Sequence, residues 1–149
     1  MSYKAYKAPA DDRIGASEVL KLMKHKDKAY ILMNEYNDHT IKGIIKQMDL
    51  AIGLRYHFIV FAVNSQVPAI GIYADHYYQT KIKGILELVG QMKYGCDIED
   101  TSLKNITNLV GDILSDKETI RKRLGERTKE LENLGLFSIK CALKLLSQT

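Results

Sequence analysis

Tryptophan is absent, and proline and cysteine occur only twice each. Each shortage removes a class of protein. Two cysteines, Cys96 and Cys141, are too few for a disulfide framework and lack metal-ligand spacing. A reducing compartment, with a cytoplasmic place for the chain, fits that usage. No apolar run approaches the roughly 18 residues of a membrane span, and the amino-terminal stretch is polar without a signal-like core. The net charge of +4 is modest and unconcentrated, so no basic face marks a nucleic-acid surface. Internal repeats and low-complexity segments are missing as well. What remains is a chain of 149 residues, 46% apolar and 27% charged, enough for one globular domain with a real core.

The stretch from Asp49 to Gly90 organises that domain. Leu50 to Gly53 is a short apolar run with no period of its own, as expected of a parallel strand buried on both faces. Polarity returns at Arg55, and Phe58 to Val63 then reads as a buried helix closed by Asn64 and Ser65. Val67 to Tyr73 is a second strand, entered through Pro68, where a missing N–H costs least. The result is a βαβ unit and an α/β fold with a Rossmann-like parallel sheet flanked by helices.

In such a sheet, ligands lie beyond the carboxyl ends of the strands. Arg55 and His57 occupy one such end; Asp75, His76, Tyr77 and Tyr78 occupy the next. Arginine offers a bidentate fork to phosphate or carboxylate, and a helix starting near Tyr56 or His57 aims free N–H groups at the same place. The ligand this arrangement suits is an anion. The alternative for these residues is structural, with Arg55 pairing a carboxylate and His57 capping a helix.

The flanks read more plainly. Met1 to Gly15, with Pro9 and two aspartates, reads as surface loop. Ala16 to His25 has helical spacing, with Ser17 as cap. Ala29 to Met33 reads as a buried strand, which places Glu35 at a strand's carboxyl end, either as a ligand contact or as a cap facing water. Ile41, Ile44, Ile45 and Met48 form the core stripe of the next helix, which Asp38 or Thr40 caps. Thr80 to Gln91 is a helix whose first turn carries Lys81 and Lys83, either reaching a phosphate or solvated. His76 precedes it in a loop. Tyr94 to Ile98 reads as a short edge strand, Leu103 to Leu114 as a helix, and Asp116 onward as another that Gly135 breaks before a final amphipathic helix from Phe137 to Leu146. The cluster Arg121, Lys122, Arg123 reads as a solvated face.

The run IGLRYHFIVFAVNSQVPAIGIYADHYYQTKIKGILELVG resembles the C-terminal, donor-binding half of the polysaccharide pyruvyl transferase family. The likeness lies in the apolar strand before R-x-H, the helix beginning at the histidine, the "VPAI" strand, and the Tyr- and Lys-containing loop leading to KIKGILELVG. It covers roughly Ala29 to Gly90, and Asp100 to Leu146 only as a general helical pattern. The resemblance implies a fold similar to one half of a GT-B-like protein, with phosphoenolpyruvate as donor and a saccharide as acceptor. It makes Arg55 the donor-binding arginine and His57 the catalytic histidine; Glu35, His76, Tyr77 and Lys81 are further candidate substrate contacts. No metal or cofactor is implied.

A donor half of that kind has about six parallel strands, and only three clear ones and one short one are readable here. The expectation is therefore a single, incomplete domain, inactive by itself, that a missing N-terminal domain or a second copy of the chain completes. Two other functions compete with this one. A GT-B glycosyltransferase donor half would show a Gly-rich diphosphate turn or an acid placed for a ribose, and ADHYYQTK supplies aromatics and lysine instead. A non-catalytic module would bind an anion or a partner without turnover.

Overall fold

In the computed structural model, which describes residues 11–147, the chain is an α/β protein whose parallel sheet is flanked by helices in a Rossmann-like arrangement. The chain divides into two units, Met1–Asn37 and Asp38–Thr149. No described helix is long and apolar enough to cross a membrane.

The first unit holds helix α1, Asp12–Leu22, and a 3-10 turn at Lys26–Lys28. Helix α1 begins earlier than its apolar spacing suggests, because Asp11, not Ser17, is the cap: its carboxylate accepts from the Arg13 N–H at 3.0 Å. Ser17 instead donates its hydroxyl to the Arg13 carbonyl. The loop expected over Met1 to Gly15 falls outside the described residues up to residue 10, and from Asp12 it is helix. The strand expected at Ala29–Met33 is not formed. Ala29 has extended backbone, but no strand among the described residues of this unit offers a ladder, and Tyr30 and Met33 are exposed. A strand lacking a partner is not stable. The Met33 carbonyl accepts instead from the Arg13 guanidinium at 2.7 Å.

The second unit begins with α2, Asp38–Lys46, which buries Ile45 and half-buries Ile41, Ile44 and Met48. The order then runs β1 (Ala51–Gly53), α3 (Tyr56–Asn64), β2 (Ala69–Tyr73), α4 (His76–Leu88), a 3-10 turn, and β3 (Gly95–Asp97). All pairings are parallel, in the order β1-β2-β3. The runs expected at Leu50 to Gly53, Val67 to Tyr73 and Tyr94 to Ile98 thus form strands, although β1 is not buried on both faces, since Ala51 is buried and Ile52 is exposed. Helices α5, Leu103–Ser115, and α6, Lys117–Leu146, complete the unit.

Close approach of helices to sheet depends on a row of glycines in register, Gly53 opposite Gly71 and Gly71 opposite Gly95. A Cβ at Gly53 would lie 2.5 Å from the Phe58 ring, and one at Gly71 would lie 2.3 Å from Ile82 Cγ2. Both α3 and α4 therefore lie on the sheet at a distance that only glycine permits. Ile59, Ala62 and Val63 of α3 and Ile82 and Leu86 of α4 are buried there with Ile70.

Each crossover helix ends in the same way. Gly90, at φ 70°, follows α4, and the N–H groups of Gly90 and Gln91 return to the carbonyls of Glu87 and Leu86. Gln66, at φ 61°, does the same after α3, with Val67 N–H to Ala62 O at 2.9 Å. Both are Schellman caps. Gln91 is buried, and its side-chain oxygen accepts from Ala69 N–H at the start of β2.

Candidate functional site

The carboxyl ends of β1 and β2 run directly into α3 and α4, so each helix presents its amino terminus at the same edge of the sheet. The two ends differ electrostatically. Asp75 caps α4, its carboxylate accepting from Tyr78 N–H at 2.8 Å. Arg55 occupies the cap position of α3 in extended backbone, makes no side-chain capping bond, and no acid lies in that helix's first turn. An uncapped helix start carries a partial positive charge on N–H groups that the helix cannot satisfy internally. Of the two ends, that of α3 is the one suited to an anion.

Side chains from α4 lean toward it. Lys81 donates to the Tyr77 hydroxyl at 2.5 Å, and its ammonium lies 4.3 Å from the Tyr77 ring centroid and 5.8 Å from that of Tyr56. The Tyr77 hydroxyl holds the Lys81 ammonium above its ordinary range, with burial acting the other way, so the side chain is a full cation at neutral pH. The His57 ring lies 5.3 Å from that of Tyr56, at an interplanar angle of 71°. Arg55, His57, Tyr77 and Lys81 are all exposed, and Tyr56 between them is half-buried.

The structure thus brings His57 and Lys81 of the expected residues to Tyr56, with Tyr77 reached through Lys81; Arg55 is the residue before Tyr56 in the chain. Tyr56 itself was not singled out, although it is the middle residue of R-x-H. Helix α4 starts four residues earlier than Thr80, because Asp75 caps it. His76 and Tyr77 are therefore in its first turn instead of a loop, and Lys81 is in its second. His76 Nδ1 is 3.2 Å from Gln79 Oε1 on the same helix, and Tyr77 packs edge-on to Tyr78, with centroids 5.4 Å apart. Glu35 belongs to the other unit, is exposed, and follows no strand.

Behind this edge, α6 ties the rest of the unit together. Lys117 pairs with Asp49 at 2.7 Å just before β1, which holds the Asp49 carboxyl below its ordinary range. Arg121 donates to the Met48 carbonyl, and Arg127 donates to the Leu88 carbonyl at 2.7 Å, at the end of α4. Arg121, expected in a solvated face, is a helix-to-loop tie instead.

The family described as "Polysaccharide pyruvyl transferase" matches residues 2–76, a span that contains Glu35, Arg55 and His57 and stops before Tyr77 and Lys81. The chain is 26% identical over 125 residues to "Amylovoran biosynthesis protein AmsJ" of Erwinia amylovora, an alignment covering 84% of this chain and 29% of that relative. The chain therefore spans less than a third of that relative's length. No solved structure matches it.

Proposed function

Because the chain belongs to the polysaccharide pyruvyl transferase family, we propose that its second unit binds phosphoenolpyruvate for transfer of the pyruvyl group to two hydroxyls of a saccharide. The observation that carries this reading is the R-x-H segment at the uncapped start of α3, with the Lys81 cation directed toward it. In the reaction the enol methylene gains a proton and becomes a methyl group. The adjacent carbon becomes cation-like, two hydroxyl oxygens bond to it, and its bond to the phosphate oxygen breaks. Of the two hydroxyl protons released, one balances the proton taken up at carbon and the other leaves on phosphate.

Arg55 meets the phosphate or carboxylate with a planar fork, and a charge-assisted hydrogen bond of this type contributes roughly 1.5 to 3 kcal/mol. The α3 amino terminus and Lys81 add positive potential beside it. His57 is the proton carrier, a role typically worth about a hundred- to ten-thousand-fold in rate. His76 and Tyr77, in the first turn of α4, flank the donor as further substrate contacts. Glu35, in the other unit, is assigned no step.

Calorimetric titration with phosphoenolpyruvate tests the assignment. Arg55→Ala is expected to abolish binding while circular dichroism is unchanged. Arg55→Lys is also expected to bind poorly, since a point charge cannot reproduce the fork. His57→Gln should retain most donor affinity and lose saccharide-dependent phosphate release. Unchanged affinity in Arg55→Ala rejects the site.

A further inference from the structure

We propose that Tyr56 is a positioning residue of this site: its ring is the shared support that holds His57 and Lys81 toward one anion. The inference rests on the donor-binding reading above and adds to it a residue outside the arginine and histidine of the motif. Three observations carry it. The His57 and Tyr56 rings are 5.3 Å apart and steeply inclined, which is the edge-on geometry that aromatic pairs favour. The Lys81 ammonium lies 5.8 Å from the Tyr56 centroid, within reach of the ring's negative face, and 4.3 Å from that of Tyr77. Tyr56 is half-buried at the first position of α3, whereas both groups it contacts are exposed.

The consequence follows from where mobility lies. Lysine has a long flexible stem, and an exposed lysine loses considerable rotamer freedom when it is held in one place. On α4, the hydrogen bond that holds Lys81 is the one to Tyr77, one turn away. Tyr56 is the contact that draws it across to α3. His57, exposed on α3, is limited on one side by the same ring. A half-buried aromatic with two torsions thus fixes the spacing between a proton carrier on one helix and a cation on the other. An aliphatic residue of similar bulk would keep the packing and lose both ring contacts.

The test compares Tyr56→Phe, which keeps the ring, with Tyr56→Leu, which removes it, in the 149-residue chain. Phosphoenolpyruvate affinity is measured by calorimetry, and the His57 ring-proton shifts by NMR. Tyr56→Leu is expected to weaken donor binding by roughly two- to fivefold, the range of an exposed cation–aromatic contact, and to move the His57 ring-proton resonances. Tyr56→Phe should match wild type in both. In the wild type, titration with inorganic phosphate should shift the His57 and Lys81 resonances together; in Tyr56→Leu the two responses should separate. A leucine variant with wild-type affinity, in which His57 and Lys81 still respond together to phosphate, overturns the proposal. The phosphate titration needs no phosphoenolpyruvate, so it tests the pairing of His57 with Lys81 even if Arg55→Ala shows that phosphoenolpyruvate binds elsewhere.

Discussion

At the scale of single residues, the clearest electrostatic statement is made by Asp11. Its carboxylate accepts from the Arg13 guanidinium at 2.6 and 2.8 Å and from the Arg13 N–H, and these bonds, the side-chain ones foremost, hold it down at about 2 from an ordinary 3.8. A carboxyl depressed in the folded state stabilises that state at pH values above its unfolded pKa, and the stabilisation is lost as pH falls through the folded one. Helicity of α1 is therefore expected to decline between about pH 4 and pH 2, and Asp11→Ala should remove that step while lowering helicity at neutral pH. Circular dichroism of a peptide covering α1 and its cap, titrated with acid, measures both. The cap was not legible because two adjacent aspartates after Pro9 read equally as a turn. Arg55 and His57 were legible for the opposite reason: they break an apolar run abruptly. Lys81 was visible as a residue and misplaced by a turn, since one capping carboxylate, Asp75, decides where α4 starts.

At the scale of elements, strands and helices buried on several sides were readable from composition, and elements defined by what they lack were not. The runs at α3 and β2 have no polar interruption and supply much of the core, to which β1 adds Ala51 while leaving Ile52 exposed. Ala29–Met33 has the same composition without a ladder partner, and composition alone does not reveal that. Helix α6 shows the converse error. Gly135 reads as a break, yet the 30-residue helix passes through it, and a Cβ there would meet no atom within 4 Å. Glycine inside a helix costs roughly 0.5 to 1 kcal/mol relative to alanine, mainly in entropy. Gly135→Ala is accordingly expected to stabilise the chain by about that amount, with increased helicity by circular dichroism and slower amide exchange across Leu131 to Ile139. A loss of stability would mean that this position needs glycine's freedom and that α6 bends there.

At the scale of the whole molecule, α6 has two dissimilar halves, and the difference bears on how the chain behaves in solution. Its first half buries Ile120, Leu124 and Thr128 and carries Lys117, Arg121 and Arg127 to Asp49, Met48 and Leu88. From Glu132 onward every described residue is exposed, including Leu134, Leu136, Phe137, Ile139, Leu143, Leu145 and Leu146, each more than half accessible. At 100° per residue, Leu136, Ile139, Leu143 and Leu146 share one side, and Leu134, Phe137 and Leu145 fall on the other, so apolar surface surrounds most of the helix. A helix apolar on nearly all sides belongs in a buried setting. The exposed area is on the order of several hundred Å², the size at which a surface patch marks association. The expected outcome is a concentration-dependent dimer or higher species in light scattering, with the paired substitution Leu136→Lys and Leu143→Lys restoring a monomer. Because both positions are exposed and remote from Arg55 and His57 in sequence, phosphoenolpyruvate binding should be unaffected by the pair. A wild-type chain that stays monomeric at high concentration would show that these side chains do not drive self-association. Loss of donor binding in the lysine pair would instead tie the end of α6 to the carboxyl edge of the sheet.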